Sequence, residues 1–197
     1  MSFNFFRYNL LTDEDLIVSV GNGNNDAFNE IYSRYKDRLL YYFFRMLSQD
    51  KELAKDFIQE IFIKIIKNAH VFNHNMKFST WIFSIANNMC KNEYRRQDIR
   101  KNTFHCENLD QLDNEESLIA NHEPIINLIF NQLENFDESH KSAFLLKYRE
   151  GFSIDEISEI LELPVGTIKS RLFYTRKKIQ DNIKKQYPEI IDQFNLY

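Results

Sequence analysis

Ser153–Lys178 reads SIDEISEILELPVGTIKSRLFYTRKK. Ser153 followed three residues later by Glu156 is a capping box, the local signature of a helix start. Ile157, Ile160 and Leu161 then recur at helical spacing and face a core, while Ser158 is small enough for a neighbouring helix to approach closely. Leu163-Pro164-Val165-Gly166-Thr167 interrupts the pattern. A second helix restarts at Val165 or Thr167, with Ile168, Leu172 and Ile179 as its buried stripe. From Pro164 to Lys178 the chain carries Lys169, Arg171, Arg176, Lys177 and Lys178 and no acid. A short helix, a tight turn and a basic second helix describe a helix-turn-helix unit. The second helix of such a unit enters the major groove with its first turns at base edges. Thr167, Lys169, Ser170 and Arg171 lie on those turns, and Arg176 and Lys178 are better placed for phosphates. The competing reading is a positively charged helix facing solvent.

The rest of the chain agrees with an all-α fold. Its 197 residues hold 4 Gly and 3 Pro, too few breakers for a turn-rich β-sandwich or for Gly-rich cofactor loops. Cys90 and Cys106 make no disulfide framework and no CxxC metal spacing, which suits a reducing, cytoplasmic setting. Met1–Thr12 does not read as a secretion signal, and no apolar stretch reaches the ~18 residues that span a membrane. The net charge of −4 hides a division. Residues 102–138 contain nine acids and no Lys or Arg, and the segments on either side are neutral to basic. Asn102–His122, with Glu107, Asp110, Asp113, Glu115 and Glu116, reads as an acidic linker. Expected boundaries are therefore a helical domain at 1–101, a linker at 102–122 and a helix-turn-helix domain at 123–197.

Four helices are expected before the linker. Asp13–Val20 is short. Asp26–Leu47 carries Phe28, Ile31, Tyr32, Tyr35, Leu39, Tyr42, Phe43 and Met46 on one stripe. Glu52–Ala69 has a wide apolar face of Phe57, Ile58, Ile61, Phe62, Ile65, Ile66 and Ala69. Asp56, Gln59, Glu60 and Lys64 line its other side, as a solvated face or a partner's contact. A polar loop bracketed by Phe72 and Phe78 follows, and Ser79 and Thr80 are expected to cap the helix from Trp81 to about Arg96. That helix buries Ile82, Ile85, Ala86 and Met89 and displays Asn87, Asn88, Lys91, Asn92, Arg95 and Arg96. Rings beside amides and cations suit single-stranded DNA: bases stack on rings, and Lys and Arg neutralise phosphate. Phe72, Phe78 and Trp81 equally suit a core. After the linker, Glu123–Phe136 and Glu138–Tyr148 are amphipathic.

These stretches resemble one known family, the extracytoplasmic-function (ECF) sigma factors of bacterial RNA polymerase. Leu163–Leu172 is similar to the family's region 4 recognition helix. Asp56-Phe57-Ile58-Gln59-Glu60-Ile61-Phe62 resembles region 2.2, and Phe72 with Phe78-Ser79-Thr80-Trp81-Ile82 and Ile85-Ala86-Asn87-Asn88 resembles regions 2.3 and 2.4. The likeness covers roughly residues 12–100 and 123–183. It implies two small helical domains. Asp56, Gln59 and Glu60 become contacts to the β′ clamp helices of core polymerase, with the β flap as a further partner. The loop Phe72-Asn73-His74-Asn75-Met76-Lys77-Phe78, together with Trp81 and Asn88, would capture a flipped base of the promoter −10 element. Lys91 and Arg95 would lie on nearby backbone. Thr167, Lys169, Ser170, Arg171, Phe173, Tyr174 and Arg176 would meet the −35 element. An anti-sigma factor is an implied partner.

The chain departs from the family pattern in four places, one of them the loop Asn73-His74-Asn75-Met76-Lys77, which lacks the usual Gly and acid. Glu162 stands where such turns often carry Gly or Asp, Ser158 replaces a common Ala, and Tyr174 stands where many relatives carry Arg. No cofactor or enzymatic activity is implied. His70, His74, His105, His122 and His140 share no ligand spacing, so no metal site is expected. The rival readings are a regulator that binds duplex operators without polymerase and an interaction protein that holds polymerase without opening DNA.

Overall fold

Side-chain caps at Thr12, Asn24, Asp50, Asp137 and Ser153 set five of the helix starts. The structure, a computed structural model, describes residues 8–103 and 124–187. Helix α1 spans Asp13–Gly21, its first turn capped by Thr12, whose Oγ1 accepts from the Asp15 amide. Helix α2 spans Asn25–Met46 behind an Asn24 cap, and α3 spans Lys51–Asn68 behind an Asp50 cap. A 3₁₀ turn at Ala69–Val71 leads into the loop before α4, Phe78–Thr103. The start of α4 is set from farther away. Ser79 and Thr80 lie inside its first turn rather than capping it, and the Phe78 amide donates instead to Glu14 Oε1 of α1, 2.8 Å away. A carboxylate suits the positive end of a helix, so α1 fixes where α4 begins.

After the acidic stretch, α5 spans Pro124–Asn131 and passes into a 3₁₀ turn at Gln132–Asn135. The expected helix to Phe136 therefore ends earlier. Helix α6 spans Glu138–Tyr148, α7 Ile154–Leu161 and α8 Val165–Gln186. The expected linker falls largely outside the described residues, since 104–123 are not among them. No helix of the described residues is long and apolar enough to cross a membrane.

The capping box of α7 is formed as the sequence indicates. Ser153 Oγ accepts from the Glu156 amide at 3.2 Å, and Glu156 Oε2 accepts from the Ser153 amide at 2.8 Å. At the other end of α7, Glu162 takes a left-handed conformation with φ 56° and ψ 45°. Ser158 Oγ donates to the Leu163 carbonyl, closing the turn. A side chain in that region costs roughly 1–2 kcal/mol, and glycine recovers this less its greater freedom when unfolded. Glu162→Gly is therefore expected to stabilise the chain by about 0.5–1 kcal/mol, read as a higher urea midpoint at unchanged slope.

One apolar core runs through both units. Leu16, Ile17, Ile31, Tyr35, Leu39, Phe43, Ile61, Ile65, Phe78 and Phe83 fill the first half, and Leu146, Ile157, Ile168 and Ile179 the second. Cys90 is buried within it, and burial pushes its thiol pKa far up. The halves meet where α4 packs on α7 and α2 on α6. Phe83 meets Phe152 edge to face with ring centres 5.2 Å apart. Tyr42 Oη and Ser142 Oγ are 2.8 Å apart, and Ser142 donates to Asn87 Oδ1 at 3.1 Å. Arg38 Nε donates to Glu150 Oε2 at 2.8 Å, and Arg45 Nη1 to Asn131 Oδ1 at 2.8 Å.

Candidate nucleic-acid and polymerase interface

The loop before α4 is a turn built on a ring cluster. Phe72 and Phe78 are buried, so both are core residues first, and Trp81 is half-buried above them. The Phe72 ring lies 5.2 Å from Trp81 and 5.9 Å from Phe78, and Phe78 packs edge-on against Tyr35. Over this base the chain turns back. Asn73 Oδ1 accepts from the Asn75 amide at 3.0 Å, and the Asn73 carbonyl accepts from the Met76 amide at 2.9 Å. The turn leaves Asn73, His74, Asn75, Met76 and Lys77 exposed. Lys77 Nζ reaches across to Glu156 Oε1 at 2.7 Å.

Asn88 and Arg95 are exposed on α4, with Lys91 half-buried between them. Steps of three and four place these three on one stripe. The adjacent Asn87 is buried; its Oδ1 is used, but its Nδ2 has no acceptor among the described residues.

On α8, Lys169, Ser170, Phe173, Tyr174 and Arg176 are exposed, whereas Thr167 and Arg171 are partly covered. Tyr174 leans on His140 (ring centres 5.6 Å apart) and Phe136 (6.4 Å), with Lys178 Nζ over the Phe136 and Tyr174 rings. Its ring thus helps hold α8 to α6. Arg171 Nη1 is buried without an acceptor among the described residues. It lines a cavity of about 160 Å³ together with Asn87, Lys91 and Glu138. The Glu156 carboxyl is held down at about 2 by Lys77 first, and then by the Ser153 amide. A depressed carboxyl stabilises the fold above its ordinary range, and that contribution fades as pH falls toward 2.

The α3 stripe is exposed as its spacing indicates: Asp56, Gln59 and Glu60 all face solvent, with Glu60 paired to Lys64 at 3.1 Å. Ile63 and Ile66 stand beside them, each about half exposed. Ile66 therefore leaves the buried face to which its spacing assigned it. Ile63 was outside that stripe altogether, an apolar residue out of phase, which is the one sequence sign of an apolar patch here.

Residues 31–99 match the family model for sigma-70 region 2, and residues 132–179 that for sigma-70 region 4. The chain is 32% identical over 185 residues to the ECF RNA polymerase sigma-E factor of Haemophilus influenzae, covering 88% of this chain and 96% of that protein. It is 30% identical over 185 residues to the ECF RNA polymerase sigma-E factor of Escherichia coli K12, covering 88% and 95%. Two solved structures share the fold. The sigma factor RpoE of Bartonella quintana, in complex with the anti-sigma factor NepR, aligns at TM-score 0.69 and 18% identity, over 80% of this chain and 96% of that one. CnrH, in complex with the cytosolic domain of CnrY, aligns at TM-score 0.65 and 19% identity, over 88% and 97%. Two matched regions in the family's order, and relatives aligned along nearly their whole length, place the protein: it belongs to the ECF group of RNA polymerase sigma factors, which direct the polymerase to promoters.

Proposed function

We propose a division of that work among the surfaces described above. Asp56, Gln59 and Glu60 dock on the β′ clamp helices of core polymerase, and Ile63 and Ile66 add apolar area to the same contact. The turn Asn73–Lys77 on its Phe72, Phe78 and Trp81 base takes an unstacked base of the −10 element. Asn88 contributes to that pocket, and Lys91 and Arg95 neutralise adjacent phosphates. The leading turns of α8 read the −35 element through Lys169, Ser170 and Arg171, with Arg176 on the backbone and the β flap beside the second unit. Catalysis belongs to the polymerase. An anti-sigma factor is the expected regulator: among the solved structures of the same fold, RpoE is bound to the anti-sigma factor NepR and CnrH to the cytosolic domain of CnrY.

The observation that carries this reading is the acid-free run Pro164–Lys178 that opens α8, exposed at Lys169, Ser170, Phe173 and Arg176, in one chain with the polar α3 ridge. A duplex-only regulator has no use for that ridge. The test is run-off transcription with added core polymerase on a promoter library. A variant combining Asp56→Arg, Gln59→Ala and Glu60→Arg is expected to bind core polymerase at least about tenfold more weakly (about 1.4 kcal/mol). Its helical circular dichroism should be unchanged. Normal core binding by that variant rejects the α3 assignment.

A further inference from the structure

The cavity beside Arg171 gathers donors that the fold leaves unused. It measures about 160 Å³ and is lined from α4, α6 and α8, with Met46, Leu161 and Leu163 as apolar wall. One water accounts for about 30 Å³ of the liquid, so there is room for a small molecular ion. Two polar groups at the lining already have partners. Tyr94 Oη donates to the Met46 carbonyl, and Ser139 Oγ donates to Asp137 Oδ1 at 2.6 Å. Two others do not. Asn87 is 2% exposed, and its Oδ1 accepts from Ser142 Oγ at 3.1 Å, which leaves Nδ2 unmatched. Arg171 Nη1 is buried without an acceptor among the described residues. Unpaired buried donors are costly.

Charge narrows the choice of what would meet them. Lys91 and Arg171 bring two cations to the lining, and Glu138, on the first turn of α6, brings one carboxylate. Water meets donors but does not offset that surplus; an oxyanion does both. The Glu138 carboxyl is raised, by burial first and then by Asp137 and Asp98, with Lys91 and Arg95 acting the other way. A carboxylate in that setting favours a neighbour that brings a proton. Inorganic phosphate keeps a proton at neutral pH, and sulfate does not. We propose that this cavity is a binding site for inorganic phosphate, whose oxygens accept from Asn87 Nδ2, Arg171 Nη1 and the Lys91 ammonium and whose own hydroxyl donates to Glu138. The site uses side chains from both units and rests on none of the DNA roles proposed above.

The experiment uses the full-length chain in phosphate-free buffer, without polymerase or DNA. Isothermal titration calorimetry at matched ionic strength compares inorganic phosphate, sulfate and dimethyl phosphate, and thermal melts read the accompanying stabilisation. Sulfate is the tetrahedral ion without the proton, and dimethyl phosphate is the diester found in a nucleic-acid backbone. The wild type is expected to bind phosphate at least about tenfold more tightly than either, because both lack the hydroxyl that Glu138 accepts. Glu138→Gln replaces the carboxylate with an amide that donates to sulfate, so E138Q should bring phosphate and sulfate within about threefold of each other. Arg171→Gln should weaken phosphate binding at least about tenfold through loss of a charged donor. If R171Q loses its helical circular dichroism, Lys91→Gln takes its place with the same expectation. No phosphate binding by the wild type overturns the site. Sulfate or dimethyl phosphate bound as tightly as phosphate overturns the pairing with Glu138, and with it the choice of ligand. A phosphate preference that survives unchanged in E138Q and in the folded cation variant seats the ion elsewhere and overturns the cavity as its place.

Discussion

Phe83→Ala is expected to destabilise the protein by about 3–5 kcal/mol, the usual range for removing a fully buried phenyl ring. Phe83 is 0% exposed. Its ring meets Tyr42 at 5.5 Å and Phe152 at 5.2 Å, both edge to face, and the Arg38 guanidinium sits 5.4 Å from its centre. Tyr42 and Arg38 come from α2 and Phe152 from the turn before α7, so the cavity would open where both halves share one core. The collapse that softens many cavities is hindered here, because Tyr42 is tied to Ser142 and Arg38 to Glu150. Urea denaturation followed by circular dichroism measures the loss. A change below about 1 kcal/mol, near the typical value for any substitution, contradicts a core common to both units.

Lys169→Ala is expected to weaken −35-dependent initiation by about 1–3 kcal/mol, or roughly 5- to 150-fold, if its ammonium reads a guanine edge. Lys169 is exposed on the leading turns of α8 and has no part in the core, so the loss should appear in promoter affinity and not in thermal stability. The loss should also be confined to promoters with the matched base. A uniform loss across sequences, with a shallower salt dependence, would make Lys169 a phosphate contact instead. Tyr174→Ala provides the contrast. Its ring packs on Phe136 and His140, so truncation should lower stability along with any effect on DNA. Undiminished initiation by K169A on every promoter tested rejects a base-reading role.

Much of the fold was legible because its causes are local. The capping box at Ser153 and Glu156 needs four residues, and the left-handed Glu162 follows from where α7 must stop. The α8 stripe of Ile168, Leu172 and Ile179 is plain periodicity, and all three are buried. Where the cause lies far along the chain, the reading missed it. Helix α4 starts at Phe78 because Glu14, 64 residues earlier, meets its first amide; no window around Ser79 and Thr80 contains that carboxylate. Ile66 fits a buried stripe by spacing, yet it stands about half exposed among the described residues. The candidate surfaces divide the same way. The exposure of Asp56, Gln59 and Glu60 follows from one helix's geometry. The burial of Phe72 and Phe78 and the partial cover on Arg171 depend on how separate helices meet. Nothing in the periodicity of α2 or α6 announces that Tyr42 and Ser142 share a hydrogen bond.

Cys90 gives the chain a built-in gauge of opening. Its sulfur is sealed in the core with its proton firmly held, so alkylating reagents find no thiolate until the surrounding helices come apart. With Cys106 exchanged for serine, the rate at which iodoacetamide consumes the remaining sulfhydryl reports how much of the chain is open, at native conditions and without denaturant. Binding of any regulator to the first half would then register as slower modification.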